Sequence, residues 1–229
     1  MIAIVGDIHG EFGTLNSFIN KKQPKMVLVC GDFGYWPKMD IPRLSSRGRI
    51  KKPTVPKAGD TKVYWCDGNH EDHESLLLDT KTSTELWPNV WYMKRGSVLE
   101  LDDGRNILFM GGAHSVDKAS RRNRIDWFEE ELISWADFRR LPDPDDVRID
   151  IVISHTCPLE VPMEGSFNAG KQDDPSRRVL SHILQVYRPN LWYFGHWHHY
   201  NTGFLPDTNC RWTALNMCCE SNWWAKLPE

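Results

Sequence analysis

No stretch of this 229-residue chain approaches the ~20 consecutive apolar residues that a membrane-spanning helix needs. The apolar opening, residues 1–5, is cut by Gly6-Asp7 far short of a secretory hydrophobic segment. C-x-x-C spacing is absent. The six cysteines stand at 30, 66, 157, 210, 218 and 219, which argues against a zinc knuckle or a thioredoxin motif. Cys30 and Cys66 instead end apolar runs, as buried thiols do, and the set predicts reduced thiols in a cytoplasmic protein. A large net charge is missing too. At −3 the acids and bases nearly balance, so bulk charge does not make the chain a coat for nucleic acid. There is no internal repeat, no low-complexity segment and no linker-like stretch, which predicts one domain over residues 1–229. Tryptophan is plentiful, at 11 residues, and is read as core and rim packing rather than a stacking platform for bases.

What is present reads as strand, loop, helix, strand, repeated. Short apolar runs at 1–5, 26–30 and 62–66 predict buried strands. Phe12, Leu15, Phe18 and Ile19 recur at helical spacing within 11–22, and 72–79 is a shorter helix candidate. Residues 90–101 and 106–110 flank Asp102-Asp103-Gly104, a hairpin turn signal. Further on, the pattern predicts a helix over 125–140, a strand over 148–154, a helix over 175–187 and a strand over 191–194. Segments 202–205 and 211–217 predict a closing hairpin. The expectation is an α/β layered fold with parallel strands first and antiparallel strands later.

Most of the chemistry sits where these strands end. The first ends in Asp7-Ile8-His9, the second in Asp32, the third in Asn69-His70, a later one in His155, and the last in His196-Trp197-His198. Sites of open α/β sheets form outside the carboxyl ends of the strands, so five segments can deliver side chains to one crevice. In Asp7-x-His9 and His196-x-His198, continued strand geometry would point both members of each pair the same way. A single histidine is usually a hydrogen-bonded structural residue, and His73, His114, His182 and His199 are read so. Five histidines beside two aspartates and an asparagine, each at a strand end, indicate a metal site.

Together, Gly6-Asp7-Ile8-His9-Gly10, Gly31-Asp32, Gly68-Asn69-His70-Glu71, Ser154-His155 and Gly195-His196-Trp197-His198 resemble the calcineurin-like metallophosphoesterase superfamily, in a small bacterial or phage form. The resemblance implies an α-β-β-α sandwich: two mixed sheets flanked by helices, with a dinuclear metal site at the strand C-terminal ends. It implies that Asp7, His9 and His198 bind one divalent ion, that Asn69, His155 and His196 bind the other, and that Asp32 bridges them. His70 would stand beside the metals as the acid that protonates the leaving group. Imidazole, carboxylate and amide oxygen without thiolate suit manganese, with iron, nickel, cobalt or zinc as alternatives. The implied activity is hydrolysis of a phosphate monoester or diester by a metal-activated hydroxide. A metal-bound scaffold that acts through protein or nucleic-acid binding is the alternative.

Two basic segments bear on the substrate, for which a nucleotide or nucleic acid is one candidate. After Gly111-Gly112 come Arg121, Arg122 and Arg124, any of which could grip a phosphate bidentately or stand in a solvated loop. Residues 43–62 hold Arg43, Arg47, Arg49, Lys51, Lys52, Lys57 and Lys62 against one acid, Asp60. Protein serine/threonine phosphatases of the superfamily carry Asp-Arg-Gly after the second block. Here Phe33-Gly34 follows Asp32, which argues against that substrate class.

Overall fold

A computed structural model of the chain describes residues 1–38, 43–44, 50–51, 53–80, 82–163 and 174–229. In chain order the elements are β1 (Ile2–Val5), α1 (Phe12–Lys22), β2 (Met26–Val29), β3 (Arg43–Leu44), β4 (Ile50–Lys51), β5 (Lys62–Trp65), α2 (His73–Asp79), β6 (Thr84–Trp87) and β7 (Val90–Tyr92). They continue with β8 (Ser97–Glu100), β9 (Asn106–Met110), α3 (Trp135–Phe138), β10 (Ile151–Ser154), α4 (Pro175–Tyr187), β11 (Leu191–Phe194), β12 (Asn201–Leu205), β13 (Cys210–Ala214) and β14 (Trp224–Lys226). No helix among the described residues is long and apolar enough to cross a membrane.

The strands form two six-stranded mixed sheets, in the orders β14-β1-β2-β5-β7-β6 and β12-β13-β11-β10-β9-β8, with β3 and β4 as a separate antiparallel pair. Each large sheet has four parallel strands at its centre and an antiparallel strand at either edge. Alternation along buried strands sorts the core into three layers. Ala3, Val5, Val27 and Val29 face α1, where Phe12, Leu15, Phe18 and Ile19 are buried. Ile4, Leu28, Ile107, Phe109, Ile151 and Ile153 fill the space between the sheets. Val152, Trp192 and Phe194 face α4 through Leu180, Ile183 and Leu184. This is the expected sandwich of helix, sheet, sheet and helix. Full burial of each such aliphatic side chain contributes about 1.5–3 kcal/mol.

α4 begins where its chemistry says it should. Asp174 caps it by accepting from Ser176 N at 2.8 Å, and Pro175 opens the first turn. Other segments depart from expectation. The run 90–101 is two strands in different sheets, because the chain crosses between them at Met93–Gly96. Residues 125–140 do not form one helix. A 3₁₀ turn (Glu129–Glu131) and the four-residue α3 are all they contain, because Arg95 takes up the carbonyls of Glu130, Glu131 and Leu132. Parallel strands are not confined to the first half, since β9, β10, β11 and β13 are parallel. The terminal hairpin β12–β13 forms, but the chain then returns to the first sheet as β14, paired with β1.

Candidate metal centre

The ends of β1, β2 and β5 in the first sheet meet those of β10 and β11 in the second. The loops are stitched backbone to backbone. Ile8 N and His9 N donate to Asp32 O at 3.0 and 2.7 Å, Gly195 N donates to His155 O at 3.0 Å, and Cys218 N donates to Asp7 O at 2.7 Å. Such closeness requires residues without a side chain. A Cβ at Gly195 would overlap Asp7 Oδ1, and one at Gly68 would overlap Asp32 Oδ1. These glycines make room for the two carboxylates.

Two groups of ligand atoms result. In the first, Asp7, His9, Asp32 and His198 each present one atom within 4.8 Å of the others. His198 Nε2 lies 2.9 Å from Asp7 Oδ2 and 3.1 Å from His9 Nε2. In the second, Asn69 Oδ1 lies 2.9 Å from His155 Nε2 and 3.0 Å from His196 Nδ1. Asp32 faces both: Oδ2 is 3.6 Å from His9 Nε2, and Oδ1 is 3.3 Å from His155 Nε2. The second group is deep, with His155 fully buried, whereas His9 and His198 open to solvent. His70 stands at that mouth, its ring centroid 5.3 Å from that of His9, and its N–H donates to Asp32 Oδ1 at 2.8 Å.

The direction of these side chains comes from a different source than strand alternation. His9, Asp32, His196 and His198 have φ of 48°, 42°, 66° and 47°. Left-handed backbone is uncommon outside glycine and clusters at functional sites. These four candidate ligands thus sit in loops past their strands, where the backbone turns them inward.

The electrostatics favour a cation. Asp7 and Asp32 are buried, yet both ionise more readily than usual. Burial opposes this, and the imidazoles outweigh it: His198 and His155 for Asp7, His155 and His9 for Asp32. Burial alone would lower the His155 pKa, but Asp32 and Asp7 raise it to about 10. His155 is thus favoured as a cation, while burial and the neighbouring His155 lower the His196 pKa to about 3. The pocket's donors are imidazole, carboxylate and amide oxygen, which fit divalent first-row metals. His155 Nδ1 lies 2.8 Å from Cys30 O, a contact that orients the ring and leaves Nε2 for the site.

The basic candidates are placed differently from one another. Arg121 is nearly buried, and donates to Ser115 Oγ at 2.5 Å and to the Asn69 carbonyl at 3.0 Å. Arg122 pairs with Asp126, and Arg124 donates to Glu130 Oε1 at 2.7 Å, both at the surface. Of residues 43–62, Arg47, Arg49 and Lys52 lie outside the described residues. All six cysteines are free thiols. His73 is buried with Nε2 3.1 Å from Gly68 O, and His182 packs on Phe138. Sequence reasoning missed Ser115, which accepts from the Asn69 amide, and Glu131, which accepts from Ser115. Ser115 lies between Gly111-Gly112 and the arginines that follow, but nothing local links it to Asn69.

Residues 1–200 match the model of the calcineurin-like phosphoesterase family, and the chain belongs to that family. Membership supports a metal-dependent phosphoesterase type of function. No curated protein sequence matches the chain. Among solved structures it is similar to TT1561 of Thermus thermophilus, with a TM-score of 0.56 at 12% identity over 94% of this chain and 88% of that one. It is also similar to the phosphopantetheinyl hydrolase PptH from Mycobacterium tuberculosis, with a TM-score of 0.45 at 13% identity over 100% of this chain and 96% of that one.

Proposed function

We propose that residues 1–229 form one dinuclear phosphoesterase domain. Asp7, His9 and His198 would hold one divalent cation, and Asn69, His155 and His196 the other, with Asp32 bridging. The observation that carries this reading is the division of the Asp32 carboxylate, one oxygen towards each group of ligands. Manganese is the proposed ion, with iron, nickel, cobalt or zinc as alternatives. When bound, such a pair supplies charge neutralisation at the phosphoryl group and a water of pKa about 7.

The chain's own residues do the rest. His70 is held by its N–H on Asp32, and its half-buried ring stands at the solvent side of the first group. Burial lowers its pKa, so a protonated His70 yields its proton readily to a departing alkoxide. Asp7 and Asp32, kept ionised, supply the anionic charge that offsets the cations. The substrate is a phosphate ester, and a nucleotide or nucleic acid is one candidate.

The test is a panel of nucleotides, cyclic nucleotides, phosphopeptide, single-stranded DNA and aryl phosphates with manganese-loaded protein, repeated with His70→Asn. The substitution should slow alkyl and nucleoside esters about 10²–10⁴-fold, and nitrophenyl esters less, because a good leaving group needs no proton. Metal content should stay at two ions per chain. Equal slowing of every ester would argue against proton donation, and loss of an ion would make His70 a ligand. No turnover by the loaded wild type would favour a metal-bound scaffold.

A further inference from the structure

We infer that Ser115 is a positioning residue for the deep group of ligands, because its hydroxyl decides which way round the Asn69 amide lies. This rests on the two-cation reading above. An asparagine amide is nearly symmetric in shape but not in chemistry: the oxygen can ligate a cation and the NH₂ cannot. Turned one way, Asn69 presents Oδ1 to His155 and His196. Turned the other, it presents N–H groups to the same place and the deep site loses an oxygen.

Three contacts remove the choice. Asn69 Nδ2 donates to Ser115 Oγ at 3.0 Å. Ser115 Oγ gives its own proton to Glu131 Oε2 at 2.8 Å. Arg121 Nη1 donates to the same Oγ at 2.5 Å. A hydroxyl has one proton to give and two lone pairs to receive with, and here all three are used. Ser115 can therefore act only as an acceptor towards Asn69, and an acceptor there demands the NH₂. Oδ1 is left facing the imidazoles.

The supports of Ser115 are themselves fixed. Its N–H donates to Glu131 Oε1 at 2.9 Å, so Glu131 grips both backbone and side chain. The second guanidinium nitrogen of Arg121 donates to the Asn69 carbonyl at 3.0 Å, which holds the backbone of the residue being oriented. The Glu131 carbonyl is in turn bound by Arg95, whose guanidinium pairs with the buried Asp67, two residues before Asn69. The circuit is closed and buried, so a change at Ser115 cannot be made good by water from the surface. It also assigns Arg121 a use other than gripping phosphate: both of its bonds go to the support of Asn69.

The experiment compares wild type, Ser115→Ala and Ser115→Thr as whole chains, starting metal-free. Manganese is titrated into one sample, and in a separate metal-free sample the Asn69 side-chain NH₂ is followed by NMR, assigned as the signal pair absent from Asn69→Asp. In Ser115→Ala one of the two manganese affinities should fall about 10–100-fold, as for other partners that orient metal ligands, with the other unchanged. The metal-free Asn69 NH₂ should exchange faster with solvent, while the amides of β5 stay protected. Ser115→Thr, which keeps the hydroxyl, should restore both. Unchanged manganese affinity with unchanged Asn69 exchange in Ser115→Ala overturns the inference. So does an equal loss of both ions with protection lost throughout β5, which is the mark of a merely structural role. A wild type that takes up one ion overturns the two-cation reading instead, and the NH₂ exchange still decides the role of Ser115.

Discussion

At the scale of single residues, Asp32 is the side chain with the most demands on it. It is buried, stands in left-handed backbone, accepts from His70 N and turns an oxygen to each group of ligands. An amide of the same shape offers one oxygen and one NH₂. Asp32→Asn should therefore abolish turnover and weaken both ions, since one group loses its oxygen and the anionic charge is gone. Elemental analysis of the purified variant reads this directly. Two tightly held ions per chain with normal turnover would show that Asp32 is no bridge. His9 and His198 need their unusual φ values for the same reason as Asp32: the turn that strains them is what brings ligands from separate strands to one point.

At the scale of elements, α2 shows how a short helix supports the site. Asp72 caps it by accepting from Ser75 N at 3.1 Å and Ser75 Oγ at 2.7 Å. Its first residue, His73, is buried behind the third ligand loop with Nε2 3.1 Å from Gly68 O. Burial pushes the His73 pKa from 6.5 down to about 4. The unfolded chain thus takes up this proton more readily than the folded one. The associated stability is present above pH 6.5 and is lost as the pH falls towards 4, at most about 3 kcal/mol. His73→Gln should flatten the acid limb of the melting temperature against pH in metal-free protein, relative to wild type. Parallel acid limbs for the two proteins would show that His73 is not the group that titrates. The other buried histidines, His196 among them, titrate alike in both proteins and cancel in the comparison.

At the scale of the whole molecule, the candidate ligands come from both sheets. Asp7, His9, Asp32 and Asn69 follow strands of the first, while His155, His196 and His198 follow strands of the second. Cations bound between them would hold the two sheets together at one end of the interlayer core. They would bind the folded chain and not the unfolded one, adding about 2.7 kcal/mol at a concentration 100 times Kd. Removal with a chelator should lower the melting temperature, and manganese should restore it. Calorimetry with and without the ion checks this, and a melting temperature indifferent to both would tell against a site spanning the sheets.

What could be read from the sequence is what depends on neighbours along the chain. α1 followed from apolar spacing, and residues 175–187 were expected to be helical, as α4 is. The buried strands followed from short apolar runs, and the meeting of the ligands from the repeated placement of Asp, Asn and His at strand ends. The tertiary structure decided what depends on distant partners. β7 and β8 part at a turn over Arg95-Gly96, but that the chain changes sheet there is set only by the strands that receive it. β14 is a strand because β1 has a free edge to receive it. Residues 125–140 look helical until Arg95, some thirty-five residues earlier, claims their carbonyls. The candidate ligands were nameable from sequence but their aim was not, since left-handed backbone at His9, Asp32, His196 and His198 is held by loops packed across two sheets. Ser115 stands 46 residues from Asn69, and only folding brings its oxygen within 3.0 Å of that amide. A hydrogen bond requires contact in space, and spacing in sequence carries no record of it.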